Sequence, residues 1–185
     1  MNLVVLISNK GTGTNLQAMI DAGANIVAVV SDTSEAFGLE RARKHNLPIE
    51  LCKKKENLLP LLQKLKPDIV CLTGWKQIIP DEVIEAYRVI NIHPGLIPDT
   101  VDGVVKNPDG TDGLWNKGML TTKAIQNFLD TGATYAGSSL HYLTQEFDFG
   151  PVVGRVFEKI RADDTVDTLY SRLKIKEHTL WQNIF

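Results

Sequence analysis

The sequence lacks an excess of one charge sign and any long apolar run. Its 20 basic and 22 acidic residues leave a formal net charge of −2. No excess of positive charge therefore attracts nucleic acid or an anionic membrane. No apolar segment approaches the roughly 20 residues that span a bilayer, and the opening run at residues 3–7 is too short for a secretory signal. We therefore expect a cytoplasmic protein, monomeric or homodimeric, with small-molecule substrates and no nucleic-acid or membrane partner.

Cysteine and histidine are also scarce. Cys52 and Cys71 lie beside strand-like segments without metal-ligand spacing, so both are interpreted as reduced packing residues. The four histidines are scattered, and no Ser or Cys has the surroundings of a catalytic triad. We expect no metal ion, and a single domain over residues 1–185.

The first half of the chain alternates short apolar runs with helical patterns. This alternation predicts successive βα units and a parallel sheet buried on both faces. The predicted strands are Leu3–Ser8, Ile26–Ser31, Pro48–Leu51, Ile69–Leu72 and Val89–His93. The predicted helices are Asn15–Ala22, Phe37–Lys44, Asn57–Leu65 and Asp81–Tyr87.

The second half departs from this alternation. Residues Pro94–Lys117 are rich in Gly, Pro, Asp and Asn, which is typical of a long surface loop. The later predictions are a helix at Met119–Leu129, an antiparallel strand pair at Tyr135–Leu143 and Val152–Ile160, and a helix from near Thr165 capped by Asp164 or Asp163. The predicted fold is α/β, with a Rossmann-like open, mostly parallel sheet, helices on both faces and an antiparallel edge.

Ligands of open α/β sheets bind outside the carboxyl ends of the strands, and the first such place here is Ser8–Asn15. Its glycines permit close backbone approach, and the following helix N-terminus supplies unpaired N–H groups, which favours phosphate. A tight turn that only needs glycine is one alternative. A dinucleotide site is another, because Asp32 lies where a ribose-binding acid belongs, although Leu16 replaces the third glycine of that motif.

Two further strand ends carry aromatic or polar residues. Gly74–Ile79 follows a predicted strand and is suited to lining a flat heterocycle, although Trp75 is equally suited to the core. In the next strand, Asn91 and His93 lie on one face, about 6–7 Å apart along the chain. An amide and an imidazole so placed could stabilise a developing oxyanion, and the histidine could pass a proton. A purely structural histidine is the alternative.

The fourth place is the turn His141–Pro151, between the two late strands. Phe147 and Phe149 bracket its carboxylate, Asp148, which would favour a charged histidine nearby. That pairing suits acid–base chemistry. The alternative for Asp148 is a solvated turn residue.

Taken together, these motifs resemble the folate-dependent formyltransferase family, and within it the members that act in purine synthesis. Most of the resemblance comes from Asn91-Ile92-His93-Pro94 followed by Asp148-x-Gly150-Pro151-Val152, because two distant motifs occur in the family's order. The other matching stretches are Val4–Ser8, Gly13–Ala18, Ala36–Ala42 and Lys176–His178.

The resemblance implies the formyltransferase fold and transfer of a formyl group from 10-formyltetrahydrofolate to the amine of phosphoribosylglycinamide. It implies that Asn91 and His93 stabilise the oxyanion, with His93 as general acid, while Asp148 tunes His93 and helps to remove the amine proton. It also implies substrate contacts at Gly13, Thr14, Asn15 and Glu177. The implied pterin pocket consists of Lys76, Gln77, Ile78, Ile79, Thr144, Gln145, Glu146, Phe147 and Asp148.

Several departures from the family pattern bear on the substrates. Lys76 and Gln77 stand where the family usually has Met-Arg, and Gly95 and Phe149 replace residues that are typically Ser and a small residue. The loop after Pro98 is longer than the family norm and lacks its Pro-Gly-x-His stretch. The alternatives are formylation of another amine such as a nucleotide-linked amino sugar, hydrolysis of formyltetrahydrofolate, or, from another class, a Rossmann-type protein that binds NAD or a nucleotide.

Overall fold

The computed structural model describes residues 1–8 and 12–184. The chain divides into two compact units, Met1–Asn91 with Trp181–Phe185 and Ile92–Leu180. That the whole chain acts as a single domain stays a prediction. Cys52 and Cys71 are both buried and free, as the sequence predicted. No helix within the described ranges has the length and apolar character that crossing a membrane requires.

The first unit is built from parallel strands with intervening helices. Its strands are β1 (Leu3–Ile7), β2 (Ile26–Ser31), β3 (Ile49–Leu51), β4 (Ile69–Leu72) and β5 (Arg88–His93), whose last two residues belong to the second unit. Its helices are α1 (Thr14–Asp21), α2 (Leu39–Lys44), α3 (Leu58–Leu65) and α4 (Asp81–Ala86). Strand β1 pairs with β2 on one side and β4 on the other, and all five of its side chains are buried. A strand buried on both faces needs apolar residues throughout, which explains its unbroken run.

The second unit contains α5 (Thr121–Asp130), β6 (Tyr135–Tyr142), β7 (Val152–Lys159) and most of α6 (Val166–Asn183). Strands β6 and β7 are antiparallel. The helices pack on a core made of Ile125, Phe128, Ala136, Leu169 and Leu173.

The start of α6 corrects one prediction. The hydroxyl of Thr165 accepts the backbone N–H of Thr168 at 3.3 Å, which is the bond that an N-cap residue makes. Thr165 is thus the cap, and the predicted cap at Asp164 or Asp163 is wrong. The Asp164 carboxylate binds the Arg172 guanidinium at 2.7 Å instead, which lowers the pKa of Asp164.

The seven strands form one sheet in the order β3-β2-β1-β4-β5-β6-β7. The pairs from β3 to β5 are parallel, whereas β6 and β7 make an antiparallel edge. The predicted fold class is therefore confirmed. One description was incomplete: the segment 94–117 is not only a surface loop, because Leu96, Ile97, Asn107 and Asn116 are buried within it.

Candidate active site

His93 is the last residue of strand β5, and its side chain is only 2% exposed. Its Nε2 lies 2.7 Å from the carbonyl oxygen of Trp115, and because a carbonyl oxygen only accepts, Nε2 carries a proton and donates it. Its Nδ1 lies 3.6 Å from Oδ1 of Asp148, which is an ion-pair distance but too long for a hydrogen bond. The ring is thus held between a neutral acceptor and a carboxylate.

Trp115 and Gly118 form hydrogen bonds with the backbone and the carboxylate of Asp148. Gly118 N–H donates to Oδ2 at 2.8 Å, and Trp115 Nε1–H donates to the backbone oxygen of Asp148 at 2.9 Å. Asp148 has φ = 49°, a left-handed conformation that Asp and Asn adopt more readily than most residues. These contacts fix the direction in which the carboxylate points.

Opposing effects act on the protonation of His93. Burial lowers its pKa, while the Asp148 carboxylate and the hydrogen bond to Trp115 raise it. His141, whose ring lies edge-on 6.3 Å from that of His93, has its pKa lowered to about 4 by burial and by the charge of His93. His141 is therefore neutral near pH 7, and its Nδ1 donates to the Tyr142 carbonyl oxygen at 3.1 Å.

Asn91 lies two residues before His93 on β5, where it is in register with Leu72 of β4. Side chains alternate along a strand, so Asn91 and His93 point to the same side of β5. The structure thus brings His93 and Asp148 together as the sequence predicted. The catalytic role of Asn91 stays a prediction.

The predicted phosphate loop is described only in part, because residues 9–11 lie outside the described ranges. Gly13 has φ = 69°, and a Cβ there would lie 2.7 Å from Cα of Gly38, so this close backbone approach requires glycine. Thr14 begins α1. Oδ1 of Asn15 is buried without a hydrogen-bond partner among the described residues. Asp32, the acid of the dinucleotide alternative, accepts a hydrogen bond from Ser8 Oγ at 2.8 Å.

Glu177, the other predicted substrate contact, lies in α6. Its side chain is buried and accepts a hydrogen bond from Ser138 Oγ at 2.7 Å. This bond helps to orient the carboxylate. Its contact with substrate stays a prediction.

The predicted pterin residues fall in two loops, one in each unit. In the first, Lys76 N–H donates to Ser8 Oγ at 3.0 Å and Gln77 Nε2 lies 3.5 Å from the Lys53 carbonyl oxygen. Ile79 is buried there, and Ile78 is 71% exposed. In the second, which also contains Gln145, Thr144 Oγ1 donates to the Phe149 carbonyl oxygen, Glu146 pairs with Lys117, and Phe147 is exposed. The structure does not test their binding of a pterin.

The sequence analysis missed two residues that contact the His93–Asp148 pair, Trp115 and Gly118, and it included His141 only as the start of the turn His141–Pro151. Trp115 and Gly118 act largely through backbone groups, which no motif reveals. His141 lies at the end of β6, and that position was a usable signal. Within the described ranges, no group of three or more His, Cys, Asp or Glu side chains could hold a metal ion.

Comparisons with known proteins place the chain in a family. The formyl transferase family profile matches residues 1–184. Phosphoribosylglycinamide formyltransferase of Escherichia coli (strain K12) is 33% identical, over 98% of this chain and 84% of that protein. The protein of the same name from Saccharomyces cerevisiae is 29% identical, over 95% of this chain and 91% of that protein.

A solved structure is also similar. The crystal structure of phosphoribosylglycinamide formyltransferase from Anaplasma phagocytophilum superposes with a TM-score of 0.82 at 30% identity, covering 99% of this chain and 84% of that chain. The resemblance first drawn from the Asn-x-His-Pro and Asp-x-Gly-Pro motifs is therefore confirmed. The chain belongs to the formyl transferase family.

Proposed function

We propose that this chain transfers the formyl group of 10-formyltetrahydrofolate to the amine of phosphoribosylglycinamide. The observation that carries the proposal is the buried His93 imidazole, 3.6 Å from the Asp148 carboxylate, in a chain similar to proteins that bear this activity in their names. A buried imidazole beside a carboxylate is suited to moving a proton during acyl transfer.

The proposed reaction adds the acceptor nitrogen to the formyl carbon. The carbonyl electron pair moves to oxygen, where donors from Asn91 and His93 stabilise the charge. The intermediate then collapses as the bond from the formyl carbon to the folate nitrogen breaks. The folate nitrogen gains a proton and the acceptor nitrogen loses one, so the exchange is proton-neutral. Asp148 offsets the cost of charging buried His93 and is the acceptor for the amine proton.

The proposed substrate contacts divide by chemistry. Backbone N–H groups at the start of α1, around Gly13 and Thr14, suit the phosphate. Oδ1 of Asn15 has no hydrogen-bond partner among the described residues, and a ribose hydroxyl can donate to it. Glu177 stays a proposed contact to the phosphoribosyl group. The pterin is assigned to residues 76–79 and 144–148, and the enzyme is proposed to be cytoplasmic, metal-independent, and monomeric or homodimeric.

A direct assay tests the proposal. The purified chain is incubated with 10-formyltetrahydrofolate and phosphoribosylglycinamide, and formation of tetrahydrofolate is followed against the formylated product. We expect one formylated amine for each formyl donor consumed. Donor loss without formylated amine would indicate the hydrolase, and turnover only with a nucleotide-linked amino sugar would indicate a different acceptor.

Matched variants separate catalysis from folding. His93→Ala should keep the fold and lose two to three orders of magnitude in turnover, the usual effect of removing an oxyanion donor. His45→Ala is the control, because His45 is exposed and lies just after α2. Saturable binding of NAD together with no binding of a folate analogue would contradict the proposal in favour of the nucleotide-binding alternative.

A further inference from the structure

Residues Trp115–Gly118, here called the clamp segment, contact both members of the catalytic pair. The Trp115 carbonyl accepts from His93 Nε2, the Trp115 indole donates to the Asp148 backbone, and Gly118 N–H donates to the Asp148 carboxylate. Three hydrogen bonds from this segment thus reach the two residues His93 and Asp148.

Asn116 anchors the clamp segment to its surroundings. Asn116 is buried, with 6% of its surface exposed, and its Nδ2 donates to the carbonyl oxygens of Pro94 at 3.0 Å and Ala124 at 3.3 Å. Its Oδ1 accepts from Asn127 Nδ2 at 2.9 Å. An amide that bonds three separate points fixes the path of the chain through residues 115–118.

Contacts beside the clamp segment restrict it further. Lys117 pairs with Glu146 at 2.6 Å and lies 4.9 Å from the Trp115 ring centre. On the other side of the Trp115 carbonyl, a Cβ on Gly95 would come within 1.8 Å of that oxygen. Glycine at position 95 is therefore required for the carbonyl to reach His93.

We propose that the clamp segment is a positioning element of the formyl-transfer site, in which the Trp115 carbonyl holds a proton on Nε2 of His93 so that Nδ1 exchanges the catalytic proton. A neutral imidazole carries one N–H, and the carbonyl reserves it for Nε2. The second proton of the imidazolium then sits on Nδ1. At 3.6 Å from Asp148, this N–H is not committed to the carboxylate and is open to the formyl oxygen.

This inference rests on the proposed function, but one test does not need activity. Long-range ¹H–¹⁵N NMR at neutral pH reports which ring nitrogen of each histidine is protonated, with His93 assigned from a His93→Gln spectrum. We expect the Nε2–H tautomer in the wild type. Asn116→Ala, which frees the clamp segment, should give a mixture of tautomers for His93.

Asn107→Ala is the matched control. Asn107 is also buried and also holds the loop through its side-chain amide, which donates to Thr111 and to the Asp112 carbonyl. In the Asn107→Ala protein, His93 should keep the wild-type tautomer. In formyl transfer, Asn116→Ala should lose about 10- to 100-fold in kcat, as displacement of a catalytic group does, while Asn107→Ala changes kcat less than threefold.

The pH profile gives a third readout. The titratable groups that face His93 are Asp148 and His141, and the Trp115 carbonyl adds a bond that raises the pKa of His93. In Asn116→Ala this bond is loosened, so the pKa of His93 should fall. The part of the kcat–pH profile that requires protonated His93 should then shift to lower pH in Asn116→Ala and stay unchanged in Asn107→Ala.

Two results would overturn the inference: a wild-type His93 protonated on Nδ1, or an Asn116→Ala protein with the wild-type tautomer and pH profile. If Asn116→Ala does not fold, Gly95→Ala displaces the Trp115 carbonyl by another route and the same readouts apply. A wild-type protein without formyl transfer contradicts the proposed function instead, and the tautomer of His93 still decides the geometry.

Discussion

The Asp148→Asn substitution tests the pairing of His93 and Asp148 with little change in shape. Asparagine tolerates the left-handed backbone at this position, φ = 49°. Its amide oxygen can still accept the Gly118 N–H, and the backbone oxygen still accepts the Trp115 indole. The change therefore removes one negative charge 3.6 Å from His93 Nδ1 and leaves the rest of the site in place.

The size of the effect follows from that distance. Two unit charges at 3.6 Å interact by about 4.6 kcal/mol at an effective dielectric constant of roughly 20. Asp148 is 15% exposed, so solvent weakens this interaction. We therefore expect the substitution to lower the pKa of His93 by about two units, within the 1–3 units usual for a neighbouring opposite charge. Imidazolium exists below its pKa, so at pH 7.5 its population falls roughly 100-fold.

The assay is kcat for formyl transfer measured from pH 5 to 9. The limb that requires protonated His93 should shift about two units toward lower pH, so activity recovers in part as the pH falls. Asp130→Asn is the control, because Asp130 is an exposed carboxylate that accepts from Gln126. An Asp148→Asn profile that superimposes on that of the wild type would contradict the pairing of His93 with Asp148.

Other substitutions test separate parts of the structure. Asn91→Ala should lower kcat by two to three orders of magnitude with an unchanged thermal midpoint; a near-wild-type rate would remove Asn91 from the mechanism. The pKa of His141 is about 4 in the folded protein and 6.5 in the unfolded chain. The unfolded chain therefore binds more protons as the pH falls, and the free energy of unfolding should decrease by about 3 kcal/mol from pH 6.5 to 4. In urea unfolding, His141→Gln should show a smaller decrease over this pH range. Phe128→Ala, in the core of the second unit, should cost about 3–5 kcal/mol of unfolding free energy, and a loss below 1 kcal/mol would contradict its packing role.

Much of the first unit was predictable because its signals are local. The unbroken apolar run of β1 reflects burial on both faces, and β2 and β4 were predicted with the bounds that the structure shows. The cap of α6 was mispredicted, because Asp164 and Thr165 are both good caps. The Asp164 carboxylate is instead bound by the Arg172 guanidinium, the Arg161 backbone N–H and the Thr168 hydroxyl.

The sequence by itself determined the α/β alternation, the family motifs and two of the groups that meet, His93 and Asp148, because residue type and spacing carry that information. Only the tertiary structure decided what surrounds them. The Trp115 carbonyl on Nε2, the Gly118 N–H on the carboxylate and the neutral His141 nearby come from backbone groups and burial. Every residue has a backbone carbonyl and N–H, so only the folded path of the chain selects the ones that reach the site.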